Sequence, residues 1–154
     1  MHRVDGVSDK TTSVTAWEAL FRAQVSVLRQ LNAEFPTGEL SLNEYDVLFN
    51  LSRQPERQLR IRDLNRHLLL TQPSVSRLVD RLVARGLVRK EHDPGDGRGT
   101  VVCLTDAGFD LFRRVAVIHA ESIHRRVGGA LTDDELKELA RLTDKLRLNA
   151  PPAD

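Results

Sequence analysis

Apolar residues recur every three or four positions through most of the chain, and short polar segments bearing glycine or proline separate these stretches. Trp17, Leu20, Phe21, Val25, Leu28, Leu31 and Phe35 lay out a first helix over about 14–35, closed by Phe35-Pro-Thr-Gly. Ser41-Leu-Asn-Glu44 is a capping box, serine at the N-cap and glutamate three residues on, and opens a second helix to about Arg53. Gln54-Pro-Glu-Arg reads as a turn, Gln58-Leu-Arg-Ile as a very short strand, and 62–69 as a short helix with Leu64 and Leu68 inward. Thr71 is the expected N-cap of the next helix, Pro73 falls in its first turn, where a missing N–H costs nothing, and Gly86 stops it. Two β-branched runs, 87–92 and 100–105, flank Asp93-Pro-Gly-Asp-Gly-Arg-Gly and predict a β-hairpin. A long helix over about 106–127 ends at Gly128-Gly129. A second capping box, Thr132-Asp-Asp-Glu135, then opens a last helix with Leu136, Leu139, Leu142 and Leu146 inward, ended by Ala150-Pro-Pro.

Two helices in quick succession followed by a hairpin form a winged helix-turn-helix pattern. The expected fold is therefore mainly α, about six helices with a small β-hairpin wing, and the winged domain occupies 41–105. Residues 1–13 and 150–154 read as tails. The helices at 14–35, 106–127 and 133–148 carry more leucine and phenylalanine than so small a winged domain can cover. They call for a partner, and a symmetric one is the commonest solution, so 14–35 and 106–149 are expected to form a dimerisation region.

The helix after Thr71 separates into two faces. Val75, Leu78, Val79, Leu82 and Val83 make a stripe to be buried, while Ser74, Ser76, Arg77 and Arg81 share the other side. Short hydroxyls and long cationic donors on one exposed helix face suit a DNA major groove, which admits one helix and offers acceptors on its base edges. At the hairpin tip Arg98 stands among Asp93, Gly95, Asp96, Gly97 and Gly99. An arginine on such a finger can enter a narrow minor groove, with Asp96 bracing its guanidinium.

Charge sharpens this picture. The formal net charge is only +1, yet between Arg57 and Arg98 ten basic residues face five acidic ones, a net +5 that leaves −4 for the flanks. Segregation of this kind is an electrostatic footprint for phosphate. The single cysteine, Cys103, excludes an internal disulfide framework and fits a reducing compartment. With no apolar core of a secretion signal in 1–13 and no run long enough to span a bilayer, a cytoplasmic protein without a membrane partner is expected. No Gly-rich phosphate loop, nucleophile elbow or His-x-x-x-His points to an enzyme, and no cofactor is called for.

The run Gln72-Pro-Ser-Val-Ser-Arg-Leu-Val-Asp-Arg-Leu-Val-Ala-Arg-Gly-Leu-Val resembles the recognition helix and following strand of the MarR family of bacterial transcriptional regulators. Asp96-Gly-Arg98-Gly-Thr-Val-Val102-Cys-Leu104-Thr105-Asp-Ala-Gly108 resembles that family's wing signature, Asp-x-Arg-x-x-x-Val-x-Leu-Thr-x-x-Gly. The order of elements matches over nearly the whole chain. The resemblance implies an intertwined homodimer, its first and last two helices interlocked across a two-fold axis. Such a dimer binds double-stranded DNA at an inverted-repeat operator, often as a repressor. It places Ser74, Ser76, Arg77 and Arg81 on bases or phosphates, Arg98 in the minor groove, and Gln72 and Pro73 at a helix N-terminus favourable to phosphate. Many members carry a second arginine at the wing tip where this chain has Gly97, which removes one cation per subunit.

Many members also release DNA when a small aromatic, phenolic or anionic effector binds between the dimerisation helices and the winged domain. Trp17, Phe21, Arg22 and His119 have the chemistry for such a ligand, although Trp17 and Phe21 also lie on the apolar stripe of the first helix, where packing alone accounts for them. Peroxide sensing would need a reactive cysteine on the first helix, whereas Cys103 falls in the second hairpin strand. Metal sensing would need a ligand cluster, and His119 and His124, five apart on one helix, point in different directions. A winged helix that binds protein is the remaining alternative, and it would not need a hydroxyl-and-arginine face joined to a basic finger.

Overall fold

A computed structural model describes residues 9–68, 74–95, 97 and 99–149. The helices and strands are α1 (Lys10–Glu34), α2 (Leu42–Ser52), β1 (Gln58–Arg60), α3 (Ile61–His67), α4 (Val75–Ala84), β2 (Val88–His92), β3 (Thr100–Leu104), α5 (Asp106–Ile123) and α6 (Asp133–Leu148). A π-turn, His124–Gly128, follows α5. The chain divides into two units: α1 with the segment from Ser122 onward, and the stretch from Phe35 to Glu121. The fold is a mainly helical winged helix with a three-stranded antiparallel sheet of order β1-β3-β2.

In the Phe35–Glu121 unit, local chemistry sets the ends of the elements. Ser41 Oγ accepts the Glu44 N–H at 3.1 Å while the Glu44 carboxylate accepts the Ser41 N–H at 2.9 Å, the capping box read from sequence. Burial alone would raise the pKa of Glu44, but the bonds from Ser41 and Arg85 outweigh it and hold the carboxyl below its ordinary value. Helix α4 stops in a Schellman motif. Gly86 takes φ 72°, its N–H reaches the Val83 carbonyl at 2.9 Å, and the Leu87 N–H reaches the Leu82 carbonyl at 3.0 Å.

Packing then selects among the apolar positions. Leu78, Val79 and Leu82 of α4 are buried with Val47, Leu48 and Leu51 of α2, Leu64 of α3, Val88 and Val102 of the sheet, and Leu111 and Val115 of α5. Two members of the predicted α4 stripe fall short of this core: Val75 is half-buried and Val83 is 38% exposed. Val75 occupies the first turn and Val83 the edge of the stripe, where the curved helix surface turns away from the packed side.

The helix boundaries depart from the sequence reading in three places. Helix α1 begins at Lys10 rather than near Val14, after Asp9, whose carbonyl accepts the Ser13 N–H at 3.0 Å. The α4 cap is Ser74 rather than Thr71, since the Ser74 hydroxyl accepts the Arg77 N–H at 3.3 Å. The long helix over 106–127 gives way at His124 to the π-turn.

The other unit is held by polar contacts more than by burial. Glu34 at the end of α1 accepts from Arg126 Nε at 2.7 Å and lies 3.4 Å from Arg125 Nη2, and the Arg126 bond holds its carboxyl below the ordinary range. Thr132 and Glu135 form the second capping box. No described residue of α1 or α6 is buried.

Candidate nucleic-acid interface

The outer face of α4 carries Ser76, Arg77, Asp80 and Arg81, all exposed, opposite the buried Leu78, Val79 and Leu82. Its acid is already matched, because Lys90 of β2 donates to the Asp80 carboxylate. Arg77 and Arg81 have no ion-pair partner among the described residues. Ser74 caps the helix, its hydroxyl oxygen accepting the Arg77 N–H. Arg85, one turn beyond Arg81, bonds Glu44 at 3.0 Å and the Glu39 carbonyl. Much of the positive charge counted from the sequence is likewise tied up locally. Arg57 lies over the Phe109 ring at 3.6 Å, Arg89 pairs with Glu91 at 2.8 Å, and Arg60 pairs with Asp93 at 2.6 Å. The unpaired cations that remain on α4 are the two on its outward face.

The wing is β2 and β3 in register from Val88 opposite Leu104 to His92 opposite Thr100. One further backbone bond, Asp93 N–H to the Gly99 carbonyl at 3.0 Å, closes the hairpin beyond the strands. Gly97 has open space where a side chain would project, so its backbone does not bar the arginine that resembling sequences carry there. Asp96 and Arg98, like Gln72 and Pro73, lie outside the described residues.

The Leu-Thr-x-x-Gly end of the wing signature is structural. Thr105 Oγ1 donates to the Gly86 carbonyl at 2.7 Å, accepts the Gly108 N–H at 3.0 Å, and lies 3.0 Å from the Leu87 carbonyl. The Thr105 N–H also reaches Leu87 O at 3.1 Å. One residue thus caps α5 and ties it to the turn that ends α4. Cys103 is buried in β3 with its thiol donating to Gln58 Oε1 at 3.4 Å, and burial pushes its pKa up, away from the thiolate a redox sensor needs.

The model of the MarR family matches residues 39–99, the segment that carries α4 and most of the wing. The structure is similar to that of Sco3205, a MarR family transcriptional regulator from Streptomyces coelicolor solved in complex with DNA. The TM-score is 0.76 at 25% identity, covering 98% of this chain and 95% of that one. The winged segment of this chain is thus similar to the MarR family. Members of this family are transcription regulators, not enzymes. Similar sequences include the HTH-type transcriptional regulator PecS of Dickeya dadantii (strain 3937), 27% identical over 128 residues, which covers 82% of this chain and 76% of PecS. An uncharacterized HTH-type transcriptional regulator of Bacillus subtilis (strain 168), YkoM, is 31% identical over 91 residues. That match covers 59% of this chain, and the chain spans 58% of YkoM.

The residues expected to sense an effector fall in both units. Trp17 and Phe21 are 57% and 51% exposed, with ring centroids 5.6 Å apart. With Arg22, Val25 and Arg29 they line an open groove along α1. His119 belongs to the other unit, where its ring meets Phe35 and Tyr45 edge-on at 5.2 Å each. Its Nδ1 is buried without a hydrogen-bond partner among the described residues, and burial pushes its pKa below the usual histidine value. The aromatic group of Phe35, Tyr45, Phe49 and Phe112 was not singled out from sequence, because its members come from the chain before α2, α2 itself and α5. Among the described residues no helix is long and apolar enough to cross a membrane.

Proposed function

We propose that this chain is a sequence-specific DNA-binding repressor that occupies a pseudo-palindromic operator as a homodimer in the cytoplasm. The observation that carries the reading is the outward face of α4: Arg77 and Arg81, unpaired among the described residues, stand beside Ser76 on a helix whose other side is locked by Leu78, Val79 and Leu82. A helix fixed in that way can present long cationic donors to guanine edges and phosphates without reorganising its backbone. That Sco3205 was solved in complex with DNA supports the same use of the shared fold.

A two-fold partner is supported by apolar surface that the single chain leaves open. Val14, Trp17 and Phe21 of α1 and Leu139, Leu142, Leu146 and Leu148 of α6 are all exposed, more than a monomeric soluble protein usually shows. A dimer sets two recognition helices about one DNA turn apart, which calls for an inverted repeat. Fluorescence anisotropy at fixed salt, with the promoter fragment flanking this gene, tests the reading. The intact inverted repeat should bind one dimer far more tightly than scrambled DNA, and Arg98→Ala should weaken that binding while sedimentation still shows a dimer. Equal affinity for repeat and scrambled DNA would remove the regulator reading, and unchanged affinity in the variant would remove the wing from it.

The finer part of the proposal is release of DNA by a small aromatic carboxylate or phenol. Trp17, Phe21 and Arg22 place ring faces and a cation along one groove, which suits such a molecule. A thermal-shift screen of aromatic acids should yield a stabilising compound whose effect fades in Trp17→Ala and Arg22→Ala. A hit indifferent to both substitutions places the effector elsewhere.

A further inference from the structure

The wing has a glycine-rich tip. From Asp93 to Gly99 the chain contains Pro94, Gly95, Gly97 and Gly99, and glycine gives up more conformational freedom on ordering than any other residue. The β2–β3 ladder ends at His92 opposite Thr100. Beyond it, Asp93 does three things. Its N–H closes one more rung on Gly99 O, its Oδ1 accepts the Gly95 N–H at 2.9 Å, and its Oδ2 lies 2.6 Å from Arg60 Nε. The Asp93 side chain is only 5% exposed, so this pair is shielded on the acid's side far more than a surface ion pair would be.

Register explains how Arg60 gets there. It is the last residue of β1 and stands opposite Val101, which in turn stands opposite Glu91. An edge strand on the far side of β3 therefore ends level with the tip end of the hairpin, and a long side chain can bridge to the residue just past β2. The guanidinium also lies against Gly95, with Nη2 3.7 Å from where a Cβ at that position would sit. The hairpin tip is thus held by a third strand as well as by its own two.

We propose that Arg60 and Asp93 form a latch that sets the pose of the wing tip, and that both are positioning residues for DNA binding. The proposal rests on the DNA-binding reading above and concerns how Arg98, next to the latched turn in sequence, is delivered to the duplex. A tip ordered before binding surrenders less entropy on the DNA, so the latch should act on affinity through the wing.

Electrostatics makes the test sharp. Asp93→Asn removes a negative charge beside a polyanion, so by charge alone it should tighten binding; by loss of the latch it should weaken it. An asparagine still offers an oxygen to the Gly95 N–H, which preserves the local turn. We expect Asp93→Asn and Arg60→Gln each to weaken operator binding about fivefold at fixed salt, with Arg60→Lys retaining part of the affinity. In an Arg98→Ala background neither change should cost anything further. Amide 15N relaxation of free Gly97 and Gly99 should show a more mobile tip in the latch variants, a readout that needs no DNA. Wild-type or tighter binding by Asp93→Asn overturns the latch, as does a penalty that persists undiminished beside Arg98→Ala. A mobile tip with unchanged affinity overturns the positioning role. Should the parent protein show no preference for the operator, the DNA-binding reading fails instead, while the relaxation data still report on the latch.

Discussion

Gly108→Ala should destabilise the Phe35–Glu121 unit by on the order of 3 kcal/mol, the largest stability effect expected from any one-methyl change in it. A Cβ built on Gly108 lies 2.0 Å from the Leu87 carbonyl oxygen, 2.9 Å from its carbon and 2.8 Å from Leu104 Cδ1. A flexible side chain would step aside, but two of these three atoms are backbone. The Leu87 carbonyl is held besides, accepting the Thr105 N–H at 3.1 Å with the Thr105 hydroxyl 3.0 Å away. Accommodating the methyl means pulling α5 off the α4–β2 corner and breaking the Thr105 cap. Against this, alanine gains only ~0.4–1 kcal/mol from a less free unfolded chain. Urea unfolding at fixed protein concentration should show a lower midpoint with an unchanged slope. Gly97→Ala, into open space, should stay within about 0.5 kcal/mol. If the two variants unfold alike, the close approach of α5 to Leu87 is not a constraint on this protein.

The second large effect concerns binding rather than stability. Arg77→Ala and Arg81→Ala should each cost about 1–3 kcal/mol of operator affinity if the arginine reads a base, and relax preference at one position of the operator. If instead the side chain meets phosphate, affinity falls about evenly for all sequences and the slope of log affinity against log salt drops by about 1 per contact. Neither substitution should change thermal stability, because both side chains are exposed and have no ion-pair partner among the described residues. Arg85→Ala supplies the contrast. Its guanidinium is bound to Glu44 and to the Glu39 carbonyl, so its loss should reach folding first. Operator affinity that is indifferent to both Arg77→Ala and Arg81→Ala would take α4 out of the interface.

These contrasts trace what could be read from residues in order. The capping boxes at Ser41 and Thr132, the Gly86 stop and the inward set Leu78, Val79 and Leu82 were all legible, since each depends on residues within a turn or two of one another. The cap of α4 was less legible, because Thr71 and Ser74 offer equally good caps by composition and only the helix start at Val75 selects Ser74. The carboxylate thought to steady the wing was Asp96, two residues before Arg98. Neither lies among the described residues, and the acid seen bracing the wing is Asp93, reached by an arginine from a different strand.

By itself the sequence determined the order of the elements, the ends of most helices, and the division of α4 into an apolar side and a side of hydroxyls and arginines. Caps, stops and periodicity are short-range, and the physics that enforces them is complete within a few residues. Tertiary structure alone decided which charges stay available. Lys90 neutralises Asp80, Glu44 takes Arg85, and Asp93 takes Arg60, each through a side chain brought from a separate element by strand register and helix packing. A charge is free or spent according to its distance from the nearest opposite charge, and that distance exists only once the chain has folded.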